Sequence, residues 1–363
     1  MPQHAREPTS PPARQRRGVG RIAFATLLGL VVAASSTAAE NSQARTAASD
    51  RMPPISVSHE RILRGGQPWW FLGYNSFTWS GDCGTPDELM SSQDVDSWFA
   101  SMRHDGHGAV RLFFFPGWDL ARLDEAVASA KRNNVYLIIT LDNGIAGCGA
   151  EEKNATWFAH TAAQDRYRAH LTMLLRRYRG ETTFAWFEYF NEPGFAGGAL
   201  RRFYDKMGAL AGSIDASRLF SSGTNAAYSL GGEENYRTLN ESPGVDIASL
   251  HEYDADRIES QHGPVARANS AGKPIIVGEF GIYASRSGLG QTGDGHPCQS
   301  TVTARATRFG EKARRYITLN GYAGALAWAW QPGNKGLDTC VTGNLSDDAE
   351  VQRVLRITGE PPS

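Results

Sequence analysis

Tyr136-Leu137-Ile138-Ile139-Thr140-Leu141, ending in Asp142-Asn143-Gly144, is a near-continuous apolar run that breaks abruptly into polar residues and glycine. A strand with one wet face alternates, whereas a run apolar on both faces fits a parallel sheet covered on both sides. Similar runs occupy 109–114, 184–189, 219–222, 246–250, 274–277 and 324–330, and with 69–73 they make eight candidate strands. Amphipathic stretches at 93–104, 120–133, 165–179, 200–215, 258–271, 305–320 and 349–357 read as helices between and after them. Eightfold β-then-α repetition at this length favours closure, so the expected fold is α/β, a single-domain (β/α)8 TIM barrel. Residues 57–63, the turn Arg64-Gly65-Gly66-Gln67 and 69–73 read as a β-hairpin at the bottom of that barrel.

The chain has 363 residues, 41% hydrophobic and 21% charged, enough to bury a sizeable core. A formal net charge of −1 gives no basic field for nucleic acid. At the start, Arg14, Arg16, Arg17 and Arg21 precede an apolar run from Ile22 to Ala34 and then Thr37-Ala38-Ala39. That is the layout of an export signal at 1–39, short for a bilayer-spanning anchor, although a retained anchor is the alternative. Its removal takes away five Arg and one Glu and leaves a mildly acidic, secreted protein, expected to be a monomer without membrane attachment. Residues 40–54 read as a loose N-terminus and 55–360 as the folded domain. Four cysteines in an exported chain point to disulfides. Three pairings are possible; Cys83 with Cys148 and Cys298 with Cys340 puts each pair on neighbouring loops at one end of the barrel. No CxxC occurs, and neither a metal nor a cofactor is expected.

In a β/α barrel the carboxyl ends of the strands converge on one face, so polar residues there are candidates for chemistry. Glu188-Tyr189-Phe190-Asn191-Glu192-Pro193 ends the fourth strand, His251-Glu252-Tyr253 the sixth and Gly278-Glu279-Phe280-Gly281 the seventh. Arg111 lies within the second strand, and Trp328 and Trp330 end the eighth. Two glutamates on opposed strands suit cleavage of a glycosidic bond, which needs one acid to protonate the leaving oxygen and one carboxylate to attack. Arg111 is expected to keep Glu279 ionised, and the Glu279 anion to raise the pKa of Glu192, making Glu279 the nucleophile and Glu192 the general acid/base.

At these positions the sequence resembles glycoside hydrolase family 5, from about Trp70 to Trp330. Phe184-Ala-Trp-Phe-Glu-Tyr-Phe-Asn-Glu-Pro193 is similar to the family's acid/base strand and Ile275-Ile-Val-Gly-Glu-Phe-Gly281 to its nucleophile strand. The resemblance implies a retaining mechanism, with Asn191 on the sugar 2-hydroxyl, Tyr253 against Glu279, His251 near the cleavage point, and Trp328 beneath the sugar. Trp330 is the second choice for that place. Many family members carry a His after the third strand, where this chain has Asp142-Asn143-Gly144. That departure, with Trp157-Phe158 and the 165–179 helix, resembles the β-mannanase branch and makes Asn143 a substrate-binding candidate. An endo-β-1,4-mannanase acting on polysaccharide is therefore expected, with a β-glucanase or other β-glycanase as the alternative. A non-catalytic carbohydrate-binding barrel is the rival from another class.

Of the remaining tryptophans, Trp69, Trp70, Trp98 and Trp186 read as core, while Trp79, Trp118 and Trp157 follow strands or lie in loops where they could stack on sugars. Glu252, opposite His251 in strand periodicity, reads as structural. His104 and His107 sit in a polar turn without a third ligand, and Gly288-Leu-Gly-Gln-Thr-Gly293 reads as a loop over the cleft.

Overall fold

The computed structural model describes residues 51–80, 83, 90–254, 259, 261–292, 295–318, 321–331 and 340–356. The export signal and all but four residues of the loose segment lie outside these, and no helix among the described residues is long and apolar enough to cross a membrane. Strands β1 (Ile55–Ser58), β2 (Arg61–Arg64) and β3 (Gln67–Pro68) form a small antiparallel sheet. Met52, Ile55 and Ile62 pack with Phe71, Ala109, Tyr136 and Ala185, residues at the starts of barrel strands, so the sheet closes the amino-terminal end of the barrel.

Eight parallel strands form the barrel: β4 (Phe71–Ser76), β5 (Ala109–Phe113), β6 (Tyr136–Thr140), β7 (Phe184–Glu188), β8 (Phe220–Ser221), β9 (Ala248–Glu252), β10 (Ile275–Phe280) and β13 (Tyr322–Ala327). Two short strands, β11 (Ala284–Ser285) and β12 (Ser300–Thr301), pair in the loop after β10. Neighbours along the sheet are neighbours in sequence, and β13 lies between β4 and β10. The ring closes where Ser221 bridges Ile247, with Ser222 N–H donating to the Ile247 carbonyl at 3.0 Å. Helices α1 (Ser92–His104), α2 (Leu120–Asn133), α3 (Ala155–Ala159), α4 (Thr161–Arg177), α5 (Gly198–Ile214), α6 (Glu233–Asn240), α7 (His262–Ala268), α8 (Val302–Thr318) and α9 (Ala349–Leu355) alternate with the strands. Their starts are written locally: Ser91 caps α1 in a reciprocal box with Asp94, and Asp119 caps α2. The structure joins Cys83 to Cys148 and Cys298 to Cys340, with Cα separations of 4.5 and 5.5 Å.

Two strand ends differ from expectation in ways that matter for the mouth of the barrel. The hairpin ladder continues through Trp69, whose N–H donates to the Ile62 carbonyl, so the first barrel strand begins at Phe71 and carries Asn75 inward beside Arg111. The last strand ends at Ala327, and Trp328 and Trp330 therefore lie beyond the two-residue periodicity that would have put them on one face.

The alternation does hold on β9, where His251 and Glu252 point opposite ways. Glu252 is buried among the helices, paired with Lys312 of α8 and accepting from the Tyr316 hydroxyl at 2.5 Å. This anchor fixes the strand whose end carries His251 and Tyr253. Lys312→Met leaves a buried carboxylate unpaired and lowers stability by about 3–5 kcal/mol. In denaturant titrations, pairing it with Glu252→Gln recovers most of that loss; a double variant no more stable than the single would show that the ion pair is not the anchor.

Candidate active site

Arg111 is fully buried in the barrel, and all five of its N–H donors find acceptors. Nε and one Nη2 hydrogen reach Glu188 Oε1 at 2.8 and 2.5 Å. The other Nη2 hydrogen reaches Asn191 Oδ1 at 2.9 Å, and Nη1 divides between Asn75 Oδ1 at 2.9 Å and Glu279 Oε1 at 2.8 Å. The expected partner Glu279 is thus one of two carboxylates, and Glu188, which opens the polar motif at the end of the fourth strand, is the other. Its carboxylate is completed by Thr140 and Ser221, at 3.0 and 2.9 Å. A buried arginine on an apolar strand demands a compensating acid, and Glu188 supplies it beside Glu279. Arg111 itself has no exposed surface, so it acts through the groups it holds.

Glu279, at the end of β10, is gripped at both oxygens, by Arg111 at Oε1 and by the Tyr253 hydroxyl at Oε2, 2.5 Å away. Glu192 sits in a tight turn past β7 with a φ of 48°. Backbone hydrogen bonds hold that turn: Glu192 N–H to the Gly223 carbonyl at 2.9 Å, Asn191 N–H to Asp142 at 2.9 Å, and Gly144 N–H to Asn191 at 2.6 Å. Glycine is required at two of these positions. A Cβ on Gly144 would stand 2.5 Å from the Asn191 carbonyl, and one on Gly223, at φ +65°, would stand 1.8 Å from the Phe190 carbonyl. Lys153, buried and 3.2 Å from Asp142, ties the loop after β6 in place.

His251 links the two acids. Its Nδ1 lies 2.6 Å from Glu192 Oε1 and 3.4 Å from Glu279 Oε2. Asn225 Nδ2 donates to the same Glu192 oxygen at 3.0 Å, and no sequence pattern had singled it out. One oxygen each of Glu192 and Glu279 and a ring nitrogen of His251 lie within 4.8 Å of one another, a spacing that suits the carboxylate pair of a retaining glycosidase, about 5 Å.

The protonation preferences depart from expectation. Burial pushes the Glu279 carboxyl up, the Glu192 charge adds to this, and His251 and Arg111 only partly offset it, so it sits above its ordinary value. Burial also pushes Glu192 up, but the hydrogen bond and charge of His251, with Arg111 further off, outweigh it and leave the carboxyl below its ordinary value. Burial lowers His251, yet the charges of Glu279 and Glu192 dominate and raise it. The rise of Glu192 expected from the Glu279 charge is thus outweighed by the hydrogen bond and charge of His251.

Of the aromatic candidates, Trp328 is half-buried and stacks on Phe77, with ring centroids 5.1 Å apart and planes at 5°. Trp330 instead packs on Trp98 and Tyr74, away from Trp328, because the strand has already ended. Trp79 is 0% exposed, its indole N–H donating to the Phe113 carbonyl at 2.8 Å, and Trp157 is buried against Phe158, Phe190 and Phe203. Both are therefore core residues. Asn143 is buried and accepts from Asn191 Nδ2 at 3.0 Å, so it orients Asn191. His107, read as part of a polar turn, is buried edge-on to Tyr74.

Comparison with known proteins gives the same picture. Residues 116–334 match the model of Cellulase (glycosyl hydrolase family 5). The chain is 25% identical to mannan endo-1,4-beta-mannosidase 2 of Oryza sativa subsp. japonica, over 66% of this chain and 69% of that one. It is 24% identical to mannan endo-1,4-beta-mannosidase A of Hypocrea jecorina, over 76% and 70%. Among solved structures, the endo-1,4-beta-mannanase from Rhizomucor miehei superimposes with a TM-score of 0.64 at 16% identity, covering 84% of this chain and 98% of that one, which establishes the fold. The chain belongs to glycosyl hydrolase family 5.

Proposed function

We propose that this protein is a secreted endo-β-1,4-mannanase that cleaves polysaccharide by double displacement, with Glu279 as nucleophile and Glu192 as acid/base. The observation that carries the reading is the facing pair of carboxylates with unequal surroundings: both Glu279 oxygens are held, whereas both protein donors to Glu192 converge on Oε1. Among the described residues no donor meets Oε2 of Glu192, which leaves that oxygen to face the leaving group. In the first step Glu279 attacks the anomeric carbon as the glycosidic bond breaks and Glu192 protonates the departing oxygen. The covalent intermediate removes the charge of Glu279, and Glu192, now an anion, takes a proton from the incoming water. Asn191, fixed by Arg111 and Asn143, faces the sugar 2-hydroxyl, and Trp328 lies under the ring. The mannan preference is supported by the named activities of the relatives and by the asparagine-bearing loop after β6. Residues 1–39 serve export, the catalytic domain spans 55–360, and the enzyme acts as a monomer.

Glu192→Gln and Glu279→Gln each lower mannan hydrolysis by about 10³-fold or more, measured as reducing ends released. Near-normal activity of either variant rejects the assignment. In a side-by-side digestion, mannan is consumed faster than soluble cellulose, with glucomannan cut at its mannosyl linkages; preference for cellulose would move the enzyme to the glucanase reading.

The pH dependence follows from the two shifts. Glu279 must be ionised, and its raised value places the acid limb of kcat/KM above the ordinary glutamate 4.5. The proton needed by the leaving group is shared between Glu192 and His251, and the raised imidazole places the alkaline limb above the ordinary 6.5. A bell with either limb below those positions would contradict the proton sharing.

A further inference from the structure

The line from Glu192 to Glu279 divides the barrel mouth into two arcs. One, from β13 through β4 to β6, carries Trp328 stacked on Phe77, with Phe113 beside them. The other consists of the ends of β8 and β9, and here lies a cavity of about 320 Å³ lined by Asn225, Tyr228, His251, Tyr253, Gln261 and His262, among others. That volume is at the small end of ligand sites, roughly 300–1,000 Å³. A sugar chain cut between the two acids must cross from one arc to the other. With the ring under attack over Trp328, the departing part lies beside its proton donor, in the β8–β9 cavity.

Tyr228 stands out in that wall. It lies on a short 3₁₀ turn, Ala227–Leu230, and is 59% exposed, so its ring is open to the cavity. His262 flanks it, with ring centroids 4.8 Å apart, and exposed Phe195 abuts Gly231 at the end of the same turn. Its hydroxyl donates to Asn225 Oδ1 at 3.4 Å, which leaves the Asn225 amide N–H pointing at Glu192 Oε1, 3.0 Å away. One residue thus offers an apolar face to the cavity and orients the group that touches the acid.

We infer that the cavity seats the departing sugar, that Tyr228 is its stacking surface, and that Tyr228, through Asn225, is a positioning residue for the proton donor. This rests on the glycosidase reading above. The test compares kcat/KM of wild type, Tyr228→Ala and Tyr228→Phe on mannotetraose and on β-mannobiosyl fluoride. The fluoride fills the Trp328 side alone and leaves with little need of a proton. The Tyr228→Ala loss on mannotetraose exceeds its loss on the fluoride by about tenfold or more, and Tyr228→Phe restores the KM for mannotetraose while kcat stays below wild type. Equal losses on both substrates, or none on either, overturn the role of Tyr228 while leaving the glycosidase reading intact. A wild-type protein inert to both substrates overturns the two together.

Discussion

A single guanidinium sets the terms for this molecule. Arg111 sits where no water reaches it, and a buried charge of that kind survives only if each donor is matched. The four residues that do so come from three strands and one turn, namely Asn75, Glu188, Glu279 and Asn191. Meeting that demand fixes the mutual stagger of the strands and the rotamers of the groups that would meet a sugar. Lysine, with three donors on a point charge, could not hold the same set. The geometry of the candidate site therefore follows from solving one burial problem.

Next to this rigid frame, the proton is the mobile element. Glu192, His251 and Glu279 lie close enough that no one of them titrates alone. Each carboxylate is distinguished by what touches its oxygens more than by its intrinsic acidity. Glu279 accepts from two permanent donors, which partly offset the burial that disfavours its charge, whereas the donors to Glu192 converge on one oxygen. Chemically identical side chains acquire different work because their hydrogen-bond surroundings differ.

Much of this was legible in the sequence. Runs apolar on both faces gave the parallel barrel, and polar residues at strand ends located the mouth, because both follow from burial alone. The disulfide pairing followed from the same topology. The rest depends on where a strand stops and how a ring turns: Trp330, the second choice beneath the sugar, lies past the strand end at Ala327, and loop position says little about the burial of Trp79 and Trp157. Glu188 and Asn225 were missed for another reason. Each acts only through a neighbour distant in sequence, Arg111 in one case and Glu192 in the other, and such pairs become visible when the strands are laid side by side. The acidity of Glu192 was misjudged by weighing one charge, Glu279, without the imidazole between them.

The most direct test is to trap the covalent intermediate with a slow 2-deoxy-2-fluoro-mannosyl substrate and locate the added mass in the digested protein. The account predicts one sugar per chain, attached to Glu279. A label on Glu192, or product released with inverted anomeric configuration and no adduct at all, would contradict it.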